Sequence, residues 1–483
     1  MVAGPERYIN KSDEARIGYF ANEAAGTIDF TEAQTELIVA NGQPVSIGGS
    51  TTKMYEVTRQ ILVFADRASS LGRALGIGSL NSPAPASEKV SKRTSDKEGK
   101  KMTTVSQPDL KTLRVDQVGS LLRPQTLKEA FAKFGLGEIN VEQLREAQDR
   151  AIRDVIATQE AHHLPVVVDG EFRRTSFMES FSVVAGVEEW QAGVKAYHQI
   201  LARKDTNEAT SHKGQDPILL NRKRVTAKLK LLRNGLLDDF RFAQALTNRT
   251  VKVTLISADR IAQCFDSENS KSIYPSADEF LADVVTVERQ MIDQLAGAGC
   301  RYVGIDGPGY TAYVDPDSLA AMRARGEEPT ANMARSIKAD NEIIAGLPGV
   351  TFGIHICRGN RQSMWHREGT YDAIAEKLFN SLDHQRLLLE YDTERAGSFE
   401  ALRCVPKDKI AVLGLITTKV GRVGSVDELR RRIDEAARYL PLEQLAISPQ
   451  CGFASSIGGN LLTEDEQFRK LEVMLETAAK VWG

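Results

Sequence analysis

The sequence predicts an α/β protein, a (β/α)8 (TIM) barrel over residues 111–483 with an insertion after its second strand. Three observations carry this reading. Beyond Leu110, short apolar runs alternate with helical stretches of roughly a dozen residues or more, the pattern of βα units around a parallel sheet. Eight such runs are present, the number that closes a barrel. No Gly-rich phosphate turn follows the first run, which disfavours the alternative of an open doubly wound sheet.

In order, the runs are LRVDQV (113–118), PVVVD (165–169), VKVTLI (251–256), RYVGID (301–306), VTFGIHI (350–356), RLLLEY (386–391), IAVLGL (410–415) and QLAIS (444–448). Helices are expected over 141–163, 277–298, 332–345, 371–382, 426–439 and 464–482. The stretch 170–250 is too long for one βα connection and reads as an insertion with a hairpin around 222–232.

Two further segments precede the barrel. Residues 1–78 form an N-terminal extension of unassigned role with one strongly apolar segment, 54–75. There Val57, Ile61, Leu62, Phe64 and Ala65 suit a helix that ends near Gly76. Fewer than about 80 residues with a single good helix make a weak independent core. Residues 79–110, SLNSPAPASEKVSKRTSDKEGKKMTTVSQPDL, are so rich in Pro, Ser and charge that a flexible, disordered linker is expected.

Composition narrows the function. A hydrophobic content of 42% supports a sizeable core, and a formal charge of −3 gives no reason to expect nucleic acid or an acidic membrane as partner. No apolar run approaches the about 18 residues that a spanning helix needs, and MVAGPERYINKSDEARIGYF lacks the apolar region of a secretory signal. Five cysteines (264, 300, 357, 404, 451) suit reduced thiols in the cytoplasm rather than a disulfide framework.

A barrel of this kind carries its active site at the carboxyl ends of its strands. The fifth run ends with His355 and Cys357, whose i, i+2 spacing turns both side chains to one face. The sixth ends with Glu390, and the eighth leads into Cys451. Nitrogen, sulfur and carboxylate donors of this kind suit zinc better than magnesium or calcium. Glu171 follows the second run in VVVDGEFRR, and Asp306 closes the fourth in VGIDGPG. Gly119 and Ser120 follow the first in VGSLLRP, where a backbone amide and a hydroxyl suit a small carboxylate. Each residue has a plain structural reading: an HxC pair in a core, Glu390 paired with Arg395, Asp306 capping the turn at Gly307. Their joint placement on one rim favours a site. Cys264, Cys300 and Cys404 read as structural, His162 and His163 as solvated at the opposite end, and His366 and His384 have no evident partner.

From about Leu113 onward, the stretches DQVGSLLRP, VVVDGEFRR, GIDGP, HICRGN, LLLEYDTERAGSFEAL and LAISPQCGFASS make the chain resemble the cobalamin-independent methionine synthase family, in its short single-barrel members. The resemblance implies a zinc ion held by His355, Cys357, Glu390 and Cys451 that binds the homocysteine thiol. It implies that Glu171 and Asp306 grip the amino acid's ammonium and that Val118, Gly119 and Ser120 match the family's IGS-type turn. The implied reaction is zinc-dependent methylation of homocysteine, or a close thiol, to methionine from 5-methyltetrahydrofolate. Long family members place a proton-delivering histidine after strand seven; here VLGLITTKVGRV puts Lys419 nearest that position. They also carry a second barrel concerned with the polyglutamated folate, for which residues 1–101 are too short. Two enzymatic alternatives share the barrel: a zinc alkyltransferase acting on coenzyme M and an epoxide, and a metal-free enzyme related to uroporphyrinogen decarboxylase. The first gives Glu171 and Asp306 no obvious use, and the second leaves HICRGN and PQCGF unexplained. A degenerate barrel that merely binds zinc or a thiol is the non-enzymatic alternative.

Overall fold

The computed structural model describes residues 109–181, 183–188 and 222–483, together with the backbone of three short strands nearer the N-terminus. The chain divides into two units, Met1–Lys101 and Met102–Gly483. In the first unit, β1 (Ala21–Asn22), β2 (Thr27–Phe30) and β3 (Thr35–Ile38) form an antiparallel sheet with β2 at its centre. The helix expected over 54–75 and the linker up to residue 108 lie outside the described residues.

The second unit is built on β4 (Val166–Val167), β5 (Val184–Ala185), β6 (Lys230–Leu231), β7 (Thr250–Ile256), β8 (Tyr302–Asp306), β9 (Thr351–Ile356), β10 (Arg386–Glu390), β11 (Ile410–Ile416) and β12 (Leu445–Pro449). Seven of these form one parallel sheet in the order β12-β11-β10-β9-β8-β7-β4. The run at 113–118 forms no regular strand. It is an extended segment bridged to both ends of the sheet, Val115 to Ile447 and Ser120 to Gly170, each in the parallel sense. The eighth place of the barrel is thus filled, but by bridges rather than a ladder.

The insertion departs from expectation. Lys230 and Leu231 pair with Ala185 and Val184, so the two-stranded sheet β5-β6 joins distant parts of the chain and is not a local hairpin within 222–232. Lys223 bridges Phe265 instead. The helix Gly235–Gln244, capped by Asn234, completes the described part of the insertion.

Helices at Val141–Ala161, Ala277–Gly297, Pro329–Glu342, Asp372–Ser381, Val426–Ala436 and Glu464–Trp482 follow the sequence reading closely. No helix among the described residues is long and apolar enough to cross a membrane.

Side-chain alternation along the strands layers the barrel interior. At the amino end of the strands, Asp116, Lys252, Tyr302 and Arg386 form a buried charged floor. Above it Val118, Leu388, Val412 and Ala446 pack as a small apolar cluster. Above that lie the residues of the carboxyl rim.

Candidate active site

His355 lies on β9 directly beside Asp306 of β8, and Leu388 of β10 faces it from the other side. Glu390 ends β10 one step beyond the Leu389–Ile356 pair, level with Cys357. Tyr371 ties these two strands together: its hydroxyl donates to the Ile356 carbonyl at 2.7 Å and accepts from the Glu390 amide at 3.0 Å. The carboxyl ends of β9 and β10 are thereby fixed side by side.

The structure brings His355, Cys357 and Cys451 together, each buried, with one donor atom from each lying within 4.8 Å of the others. His355 Nε2 is 3.3 Å from Cys451 Sγ, and His355 Nδ1 has no hydrogen-bond partner. A hydrogen bond from Cys451 holds the Cys357 thiol well below its ordinary range, and the same bond, reinforced by burial, pushes Cys451 well above it. Burial opposes charge on His355, but the facing Cys357 and then Asp306 and Glu390 raise its pKa.

Glu390 is buried beside this cluster with its carboxylate already engaged. Oε2 accepts from the Arg358 amide at 2.7 Å, and Oε1 pairs with Arg395. Burial pushes its pKa up, yet Lys419, Arg395 and Arg358 together hold it down at about 2. Lys419 is buried, and its Nζ has no hydrogen-bond partner.

On the opposite wall, Glu171 takes a left-handed backbone conformation, φ 61°. Its Oε1 accepts from Thr254 Oγ1 at 2.7 Å and lies 3.3 Å from Arg174, while Oε2 is buried without a partner. Gly119 makes this approach possible, because a Cβ there would stand 2.4 Å from Thr254 Cγ2 and 3.3 Å from Glu171 Oε1. Asp306 is pushed up to about 7, chiefly by burial, with His355 opposing. Ser120 packs under the loop that carries Cys451: its Oγ accepts from the Ala454 amide at 3.4 Å. Val118 belongs to the apolar cluster beneath.

Several residues of this site escaped the sequence reading. Thr254 and Arg174 fix Glu171, and Arg123 donates to the carbonyls of Glu171, Arg174, Ala454 and Ser456, joining three loops. Asn360 and Asn460 link the loops after β9, β11 and β12. Asn360 and Arg174 stand inside HICRGN and VVVDGEFRR, so proximity to a motif was their one signal. The remaining cysteines lie outside the cluster, with Cys264 bonding the Arg260 carbonyl and Cys300 raised to about 12 by burial. His162 is half-buried, stacked on Phe468 and paired with Glu472, rather than solvated. His384 is fully buried, and burial lowers it to about 3.

A parallel barrel whose carboxyl rim gathers two thiols, an imidazole and several acids is a barrel enzyme with a thiol-rich centre. The family profile described as "Cobalamin-independent synthase, Catalytic domain" matches residues 236–480. YxjH of Bacillus subtilis, itself uncharacterized, is 37% identical over 372 residues, which is 76% of this chain and 94% of that protein. A methionine synthase of Pyrococcus horikoshii is 22% identical over 374 residues, covering 77% of this chain and 94% of its own. Among solved structures, a Listeria monocytogenes protein provisionally named a vitamin-B12-independent methionine synthase matches with TM-score 0.57 and 28% identity, over 76% of this chain and 97% of that one. The chain belongs to the cobalamin-independent methionine synthase family and is a methyltransferase.

Proposed function

We propose that this protein is a zinc-dependent S-methyltransferase that methylates homocysteine, or a close thiol, to methionine, with 5-methyltetrahydrofolate as donor. The observation that carries the reading is the His355–Cys357–Cys451 cluster, set on the same rim as a buried glutamate oxygen with no partner. Two soft sulfurs and an imidazole whose Nε2 lies 3.3 Å from one of them fit zinc, and Glu390 stands beside them with its pKa held at about 2. Glu390, paired with Arg395, would be the fourth residue to hold the ion. When bound, zinc would supply the Lewis acidity that keeps a substrate thiol deprotonated near neutral pH.

The remaining steps belong to the chain's own side chains. Glu171 Oε2 and Asp306 take the ammonium of the amino acid, and the Val118–Gly119–Ser120 turn takes its carboxylate. This orients the sulfur for in-line attack on the methyl carbon: the sulfur–carbon bond forms as the bond to N5 breaks. The leaving nitrogen then needs a proton, and Lys419 is the candidate donor on this rim. The same acids favour homocysteine over coenzyme M, whose sulfonate offers them no cation. A cytoplasmic setting suits five cysteines that are all free thiols.

Purified protein is expected to hold about one zinc per chain. Cys451→Ser and His355→Ala should each lose both the metal and homocysteine binding; stoichiometric zinc in both variants would sink the assignment. The donor is tested by assaying mono- and polyglutamated methylfolate against methylated thiols, and turnover with thiols alone would move the donor elsewhere.

A further inference from the structure

Cys357 follows β9 and Cys451 follows β12, and in the sheet β10 and β11 stand between them. The two strands are thus joined only through β10 and β11, with no ladder directly between them, and both sulfurs lie past the strand ends. Two asparagines span the gap. Asn360 Nδ2 donates to the carbonyl of Gly452, the residue after Cys451, at 2.7 Å. Asn460 Nδ2 donates to Asn360 Oδ1 at 3.0 Å and to the carbonyl of Thr418, the residue before Lys419, at 2.7 Å. Asn460 Oδ1 accepts from the Ser363 amide at 2.9 Å, and Ser363 Oγ accepts from the Leu461 amide at 2.7 Å. Both asparagines, Ser363 and Thr418 are buried.

We propose that Asn360 and Asn460 are positioning residues, an amide clamp that sets the spacing of Cys357 and Cys451 and places Lys419 relative to them. A short amide carries two donors and an acceptor, so one side chain can bond two loops at once. Leucine would leave the Gly452 and Thr418 carbonyls buried and unpaired, and aspartate would set oxygen against oxygen. The turn between Arg361 and Met364 shows how firmly the clamp is seated. Its ends exchange backbone hydrogen bonds of 2.9 and 2.8 Å, and Gln362 and Ser363 both take left-handed conformations, φ 45° and 69°. Non-glycine residues persist in that region only where the surroundings impose it, and here Asn460 and Leu461 grip Ser363 directly. Partners of this kind around metal ligands typically change metal affinity by about 10–100-fold when removed.

The spacing is read first without any metal. Dibromobimane bridges two thiols only when they lie close together, so its fluorescent cross-link in metal-free protein reports the Cys357–Cys451 pair, with Cys451→Ser as blank. Asn360→Ala and Asn460→Leu are each compared with wild type well below their melting temperatures. The cross-linking rate is expected to fall several-fold in both, and a wild-type rate in the folded variants would overturn the clamp. Should Asn460→Leu fail to fold, the smaller truncation Asn360→Ala decides. The second readout rests on the zinc reading above: Co2+ affinity should drop about 10–100-fold, with altered thiolate-to-cobalt absorption. Wild-type protein that binds no Co2+ would overturn the zinc reading alone, since cross-linking judges the clamp independently.

Discussion

Glu171 shows how a single residue is prepared for its task. Gly170 and Glu171 are both left-handed, φ 70° and 61°, so the chain turns sharply as it leaves β4 and carries the carboxylate into the barrel mouth. Thr254 and Arg174 fix one oxygen and leave the other buried and unpaired. An ionic hydrogen bond contributes about 1.5–3 kcal/mol, so Glu171→Gln should weaken homocysteine binding about 10–100-fold in calorimetry while zinc content stays unchanged. Unaltered affinity would remove Glu171 from the ammonium site. Lys419 permits a sharper distinction, because arginine keeps its charge but donates no proton at neutral pH. If Lys419 delivers the proton, Lys419→Arg and Lys419→Met should both lose about 10²–10⁴-fold in kcat. If it only balances the charge of Glu390, the arginine variant should keep most of its activity. The sequence made His355 and Cys357 legible because an i, i+2 pair on a strand must share a face. It could not reveal Thr254 or Asn460, which act through contacts made across the barrel.

Among the elements, helices with defined ends were the most legible. Glu464–Trp482 matches its expected bounds because Thr463 and Glu466 form a reciprocal capping box. Pro329–Glu342 begins three residues before expectation, since proline at the first position spares a hydrogen bond that a helix start does not make. The helix Ala277–Gly297 conceals what its apolar pattern does not show: Glu288, fully buried with neither carboxylate oxygen bonded. Burial first, and then the nearby Asp340, raise its pKa well above the ordinary 4.5. The folded state thus holds a proton that the unfolded chain releases. Stability contributed by this group falls as pH rises from about 4.5 toward the folded value. Glu288→Gln should therefore raise the urea midpoint at pH 8 and leave it nearly unchanged at pH 4. An equal effect at both pH values would contradict a neutral buried carboxyl.

At the scale of the whole molecule, the barrel has a seam. A seven-stranded parallel sheet leaves the edges of β4 and β12 unpaired, and segment 113–120 covers them with two isolated bridges. The run LRVDQV was readable as a strand, but its interior position is occupied by an acid that bonds across the barrel, which the apolar pattern could not convey. Asp116 accepts from Lys252 at 3.0 Å, from Arg386 at 2.8 Å, from the Tyr302 hydroxyl and from the Gln117 amide at 2.9 Å, linking the seam to β7, β8 and β10. Arg386 also donates to the carbonyls of Leu110 and Leu113, each at 3.0 Å, so the same guanidinium holds the start of the segment. Burial opposes ionisation of Asp116, but Lys252 and Arg386 hold its pKa below the ordinary range. Removing that carboxylate strands two buried cations, a loss that typically costs about 3–5 kcal/mol. Asp116→Ala is therefore expected to lower the urea midpoint at pH 7 and to speed hydrogen exchange at the Asp116 and Ile447 amides, which close the seam at 3.0 and 2.9 Å. Because the floor lies beneath the rim, zinc content should follow the folded fraction rather than fall ahead of it. A variant with a wild-type midpoint and unchanged exchange would show that the bridges alone close the barrel.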